Sequence, residues 1–149
     1  MTVDAEQSGE GWVVVEGAAD GFSQDITAGG HRFRSDEPAS VGGTETGPNP
    51  YDLLLAGLGA CTSMTVSMYA RRKQWPLEHV TVRLRHSRTH ARDCAACETT
   101  DARLDVIDRE IELRGALDAD QRARLLDIAN RCPVHRTLTS EIRIKTQLK

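Results

Sequence analysis

The sequence predicts an α+β fold with antiparallel sheet. Strand-like and helix-like segments come in groups instead of alternating strictly, the mark of α+β over a parallel α/β design. The most apolar stretch, residues 50–74, is bounded like a helix, with a proline at its first position and another just beyond its end. Residues 80–90, VTVRLRHSRTH, alternate Val80, Val82 and Leu84 with Thr81, Arg83 and Arg85, the period of a half-buried strand.

The elements follow in order. GWVVVEG (11–17) is a β-branched run between glycines, and DGFSQDITAGGHRFRS (20–35) supplies two more strands around a turn at Gly29-Gly30. Together they predict an antiparallel meander. Residues 36–48, DEPASVGGTETGP, hold Pro38, Pro48 and three glycines and predict an exposed loop of the kind that often carries function. Asn49 then caps a helix, Pro50 occupies its first position, and Asp52 lies in the first turn near the positive end of the dipole. Running to Gln74, that helix is roughly 37 Å long at about 1.5 Å per residue, and Pro76 stops it. Being apolar on nearly every side, it is predicted to be buried within the domain or against another subunit. A strand over 104–113 ends at Gly115. Residues 117–132 form a second helix, with a capping box at Asp118 and Gln121, Leu117 as hydrophobic staple and Pro133 as breaker. EIRIKTQLK (141–149) predicts a closing strand with Ile142, Ile144 and Leu148 on one side.

Composition limits the functions open to such a fold. A chain of 149 residues suits one domain, 1–149, with residues 1–10 expected as a flexible tail. With 22 acidic against 19 basic residues and a net charge of −3, no basic face invites nucleic acid. The amino terminus lacks the pattern of a signal peptide, and no apolar run is expected to reach the roughly 18 residues of a membrane span. The expected compartment is the cytoplasm. Four cysteines in a reducing pool point to reactive, redox or metal-binding thiols more than to a disulfide framework.

Two of those cysteines lie on helices. Leu54, Leu58, Cys61, Met64 or Thr65, and Met68 share one stripe of the first helix, while Leu125, Ala129 and Cys132 share one on the second. Packing through these stripes could bring Cys61 and Cys132 within the roughly 4.4–6.8 Å between Cα atoms that a disulfide needs. Small buried hydrophobes are the competing reading of both. Around Cys61 the segment GLGAC keeps residues small, and CPVH sets Cys132 at a helix break with His135 three residues on.

The pairing of GPNPYDLLLAGLGAC with RCPVHRTL some 70 residues later resembles the OsmC/Ohr family of thiol-dependent peroxide reductases, over about 11–148. The resemblance implies antiparallel sheets wrapped around two central helices in an intertwined homodimer, with active sites at the subunit interface. It implies thiol-dependent reduction of organic hydroperoxides without a cofactor. Cys61 would be oxidised by the hydroperoxide, Cys132 would resolve it as a disulfide, and a dithiol such as a lipoylated protein would be the reductant. An apolar pocket raises a thiol's pKa unless a cation offsets it. Arg32 and Arg34 are the candidates for that cation. The family's hydroperoxide-resistance branch has a glutamate directly after the asparagine-proline pair; here Tyr51 stands there, with Asp52 one residue along. That departure keeps open a non-catalytic redox sensor or small-molecule-binding dimer.

His86, His90, Cys94 and Cys97 have the residue types of a zinc site. The same group also reads as a surface dithiol that relays electrons or as ordinary loop residues. His31 and His79 read as structural, and His135 as either structural or a group that tunes Cys132.

Overall fold

The computed structural model describes residues 11–90 and 103–149; residues 1–10 and 91–102, with Cys94 and Cys97, lie outside the described residues. The chain forms two compact units, residues 1–54 and 55–149.

The first unit is the expected meander. Strands β1 (Val13–Gly17), β2 (Gln24–Ala28) and β3 (His31–Ser35) pair antiparallel in that order, with Val15 opposite Ile26 and Ile26 opposite Phe33. Gly29 and Gly30, at φ 54° and 81°, make the β2–β3 turn in the left-handed region that glycine enters without steric cost. Residues 36–48 are more ordered than a freely exposed loop, because Asp36 is buried and gathers them. Its Oδ1 accepts the Glu37 amide, and its Oδ2 accepts the amides and hydroxyls of Thr44 and Thr46. The Thr44 hydroxyl above all, with the Thr46 and backbone donors, holds this carboxyl well below the usual carboxylate range against the opposing cost of burial.

Helix α1 (Pro50–Arg72) begins as its sequence dictates. Asn49 Oδ1 accepts the Asp52 amide at 2.9 Å, and Asp52 Oδ2 accepts the Asn49 amide at 3.3 Å, a reciprocal cap. By length and hydropathy alone α1 is sufficient to cross a membrane, contrary to the expectation that no run would be. One of its faces is instead part of a protein core.

The second unit packs α1 with the long hairpin of β4 (Leu77–His90) and β5 (Arg103–Gly115), antiparallel with Val82 opposite Ile111 and Leu84 opposite Arg109, and with α2 (Ala119–Ala129). Val66, Ala70, Leu117, Leu125 and Ala129 form the core, flanked by Tyr69, Trp75, Val80 and Leu113. Gly59 lets α1 approach the sheet: a Cβ there would stand 2.8 Å from the Leu84 side chain.

Three expectations need correction here. The buried stripe of α1 is Leu58, Thr62, Val66 and Ala70, which shares Leu58 with the expected one and then departs from it; Leu54, Met64 and Met68 are exposed, Met64 at 70%. On a helix apolar all round, side-chain character alone cannot fix which face turns inward. Pro133 does more than end a helix: α2 stops at Ala129, and Pro133 is the first residue of a further short helix, α3 (Pro133–Leu138), with Cys132 as its N-cap. Residues 141–149 form no strand, and Ile142, Ile144 and Leu148 are exposed. Alternation marks a face that can be buried, but a strand also needs an edge to pair with.

Candidate functional site

The site is built where α1, β5 and α3 meet around Cys132. Cys132 is fully buried and Cys61 half-buried, and both are free thiols. Because the chain turns at Pro133, the Cys132 sulfur caps α3 and accepts the His135 amide at 3.3 Å. At the carboxyl end of a helix, as its sequence position had implied, the same sulfur would have faced carbonyl oxygens that oppose a negative charge. Thr62 Oγ1 lies 3.7 Å from the sulfur.

Arg109 completes the arrangement. Nη1 donates to Thr62 Oγ1 at 3.0 Å, while Nη2 donates to Asn130 Oδ1 at 2.8 Å and to His135 Nδ1 at 3.1 Å. A guanidinium cannot accept, so Nδ1 is the acceptor and the His135 ring is neutral with its proton on Nε2. Burial, and then the Arg109 charge, lower the pKa of this ring. His135 therefore serves Cys132 through its backbone N–H, while Arg109 supplies the charge.

Burial pushes the Cys132 thiol up, but the donors outweigh it. The His135 amide, the Thr62 hydroxyl, the Cys61 thiol and the Arg109 charge bring its pKa below the ordinary value. Thr62 is well placed to follow the proton. Its oxygen already accepts from Arg109, leaving its hydrogen for either the Leu58 carbonyl at 2.7 Å or the Cys132 sulfur at 3.7 Å. Beside Arg109 and His135 lies a cleft of about 440 Å³ with Leu58, Ile107, Ile111, Leu126 and Leu138 in its walls.

The other expected site residues have different surroundings. Arg32 and Arg34 lie exposed on β3 of the first unit, where Arg34 Nε donates to Asp25 Oδ1 at 2.9 Å. Asp52 is exposed at the start of α1, its carboxylate joined to the Asn49 amide. His86 Nε2 is 2.8 Å from Asp105 Oδ1, which also accepts from Arg88, and His90 is exposed on β4. Among the described residues no cluster of His, Cys, Asp and Glu could hold a metal, and Cys94 and Cys97 lie outside them.

Arg109 was missed, although a signal exists. Ile107, Arg109, Ile111 and Leu113 share the half-buried face of β5, while Asp108, Glu110 and Glu112 face out, so Arg109 is a charge on an apolar side. A long side chain there must find polar partners inside.

Within an α+β fold the site sets a buried free thiol against a hydroxyl held by an arginine on the inner face of β5. The chain belongs to the OsmC-like family: the sequence profile described as OsmC-like protein matches residues 43–147. Solved structures agree in fold. An OsmC-like protein from Mycoplasma pneumoniae superposes with a TM-score of 0.67 at 20% identity, over 88% of this chain and 88% of that one. An organic hydroperoxide resistance protein OsmC from Legionella pneumophila gives 0.61 at 21% identity, over 86% and 88%. OhrB, the organic hydroperoxide resistance protein of Bacillus subtilis, gives 0.60 at 22% identity, over 93% and 96%. A search of curated protein sequences gave no match.

Proposed function

We propose that the protein reduces organic hydroperoxides to alcohols, Cys61 reacting with the peroxide and Cys132 closing a Cys61–Cys132 disulfide that a dithiol reductant reopens. The observation that supports this reading is the buried free thiol of Cys132, its sulfur accepting the His135 amide and facing the Thr62 hydroxyl that Arg109 holds, with Cys61 the neighbour of Thr62 on α1. A thiolate attacks the O–O bond to give a sulfenic acid and an alcohol, and a neighbouring thiol converts that acid to a disulfide before it oxidises further. Exchange with an external dithiol, such as a lipoylated protein, restores the pair. The cleft beside Arg109 and His135, lined by Leu58, Ile107, Ile111, Leu126 and Leu138 as well as by polar side chains, suits the organic group of an alkyl or aryl hydroperoxide. A reducing cytoplasm suits thiols that must be free between turnovers. A homodimer is the assembly we infer, since a second copy would cover Leu54, Met64 and Met68 on α1 and the apolar side of residues 141–149.

Steady-state consumption of cumene hydroperoxide with dihydrolipoamide tests the reading. Cys61→Ser abolishes turnover if it holds, and undiminished consumption by that variant ends it. One observation favours a second reading, a sensor oxidised once per signal. In place of the family glutamate stand Tyr51 and Asp52, and the Asp52 carboxylate accepts the Asn49 amide. Rapid oxidation by one equivalent of peroxide, without repeated turnover when the dithiol is supplied, would select the sensor.

A further inference from the structure

We propose that the cleft beside β5, α2 and α3 binds an organic carboxylate, its charged head at Arg109, Asn130 and His135 and its apolar body against Leu58, Ile107 and Leu126. The site needs no peroxide chemistry, and its ligand class is an anion with a hydrocarbon or aromatic tail.

Arg109 carries a charge that nothing beside it answers. Its acceptors are the Thr62 hydroxyl, the Asn130 amide oxygen and His135 Nδ1, all neutral groups. Among the described residues no carboxylate pairs with it, whereas Arg83 and Arg85 on the neighbouring strand each face one. A half-buried guanidinium set among Ile107, Ile111 and Leu58 has lost hydration, and an anion that reaches it replaces what was lost. The Cys132 sulfur lies behind Thr62 and is no part of the cleft wall, so a solute in the cleft meets the side of Arg109 that holds Asn130 and His135.

The neutral partners complete a set of donors. Because Nδ1 accepts from Arg109, His135 keeps its proton on Nε2; because Asn130 Oδ1 accepts from Arg109, the Asn130 NH2 group is left over. Neither the Nε2–H nor that NH2 has a partner among the described residues. One positive charge with two spare donors selects an anionic head over a hydroxyl or an amine. The other charge in the cleft wall is Asp105, about 13 Å along β5 from Arg109 at roughly 3.3 Å per residue, where His86 and Arg88 hold it. The cleft volume of about 440 Å³ is within the roughly 300–1,000 Å³ of small-molecule pockets, and the aliphatic walls suit a tail.

Isothermal titration of the reduced protein at pH 7 with octanoate, hexanoate and 1-octanol tests the site. Octanoate is expected to bind about tenfold more tightly than 1-octanol, through its charge-assisted contacts, and about tenfold more tightly than hexanoate, whose tail is shorter by two methylenes. NMR of the His135 ring should show the Nε2 resonance moving as octanoate is added. Asn130→Asp keeps an acceptor for Arg109 Nη2 and supplies the missing negative charge, so it should weaken octanoate about tenfold and leave 1-octanol unchanged. Arg109→Met should erase the preference for the acid. Equal binding of octanoate and 1-octanol by the wild type, an unmoved His135 Nε2 at saturating octanoate, or a preference that survives Asn130→Asp overturns the proposal. No peroxide is consumed in these measurements, so they succeed or fail independently of hydroperoxide turnover.

Discussion

Arg109 Nη1 donates to Thr62 Oγ1 at 3.0 Å, and that oxygen lies 3.7 Å from the buried Cys132 sulfur. Arg109 thus acts on the dithiol twice, through its charge and by holding the hydroxyl that faces the sulfur. It also makes the His135 ring an acceptor.

Replacing Arg109 by Met should therefore raise two pKa values together, those of Cys132 and His135, because its positive charge lowers both. Reaction with organic hydroperoxide at pH 7 should fall about tenfold, the effect expected when an opposite charge within reach is removed. Absorbance at 240 nm follows the thiolate, and NMR of the His135 ring follows the imidazole. A lost rate with an unmoved His135 would assign Arg109 a different role. The wild type should also lose stability as pH falls below about 6.5, since the unfolded chain takes up a proton that folded His135 resists. In Arg109→Met that acid slope should be shallower.

Thr62→Val keeps the side-chain shape and removes the hydroxyl between Arg109 and Cys132. The Cys132 thiolate should become less populated at neutral pH, and its absorbance at 240 nm correspondingly lower. The loss should be smaller than in Arg109→Met, because the charge remains. A neutral hydrogen bond contributes about 0.5–1.5 kcal/mol, so the fold should survive. Titration of the 240 nm absorbance of the two variants side by side gives the comparison.

Asp36 predicts an acid transition in the first unit. Its pKa is lowered in the folded state, so it stabilises above its unfolded value of about 3.9 and loses that contribution as pH falls through the range below. Asp36→Asn should lower the melting temperature clearly at pH 7. The gap to wild type should close toward pH 2.5, and thermal melts at both values measure it.

Leu125, with 1% of its surface exposed, joins α2 to the core of α1 and the sheet. Leu125→Ala should cost about 2–5 kcal/mol, the range for deleting a buried leucine side chain. Urea denaturation with an unchanged slope would attribute the loss to packing.

Much of this fold was legible because local chemistry decided it. The glycine turn at 29–30, the Asn49 cap and the Asp118–Gln121 capping box occur where their residue types require, and the 80–90 alternation became β4. Phase was harder to read. A helix apolar on all sides buries the stripe that meets its neighbours, and Gly59 against Leu84 with Thr62 against Arg109 turn that stripe away from the expected one beyond Leu58. Arg109 was hidden by the habit of reading strand arginines as solvated, although its neighbours Ile107 and Ile111 mark the inner face. Cys132 was assigned to the end of one helix when Pro133 makes it the start of another. Ile142, Ile144 and Leu148 carry strand alternation but pair with no described strand and stay exposed.

The most direct measurement is a disulfide map after one equivalent of cumene hydroperoxide. Reduced protein treated in this way should lose two thiols per peroxide consumed and yield a Cys61–Cys132 cross-linked peptide under non-reducing digestion. Recovery of Cys61 as an unmodified thiol after the peroxide has been consumed, or a map linking neither cysteine, would contradict a reaction carried by this pair.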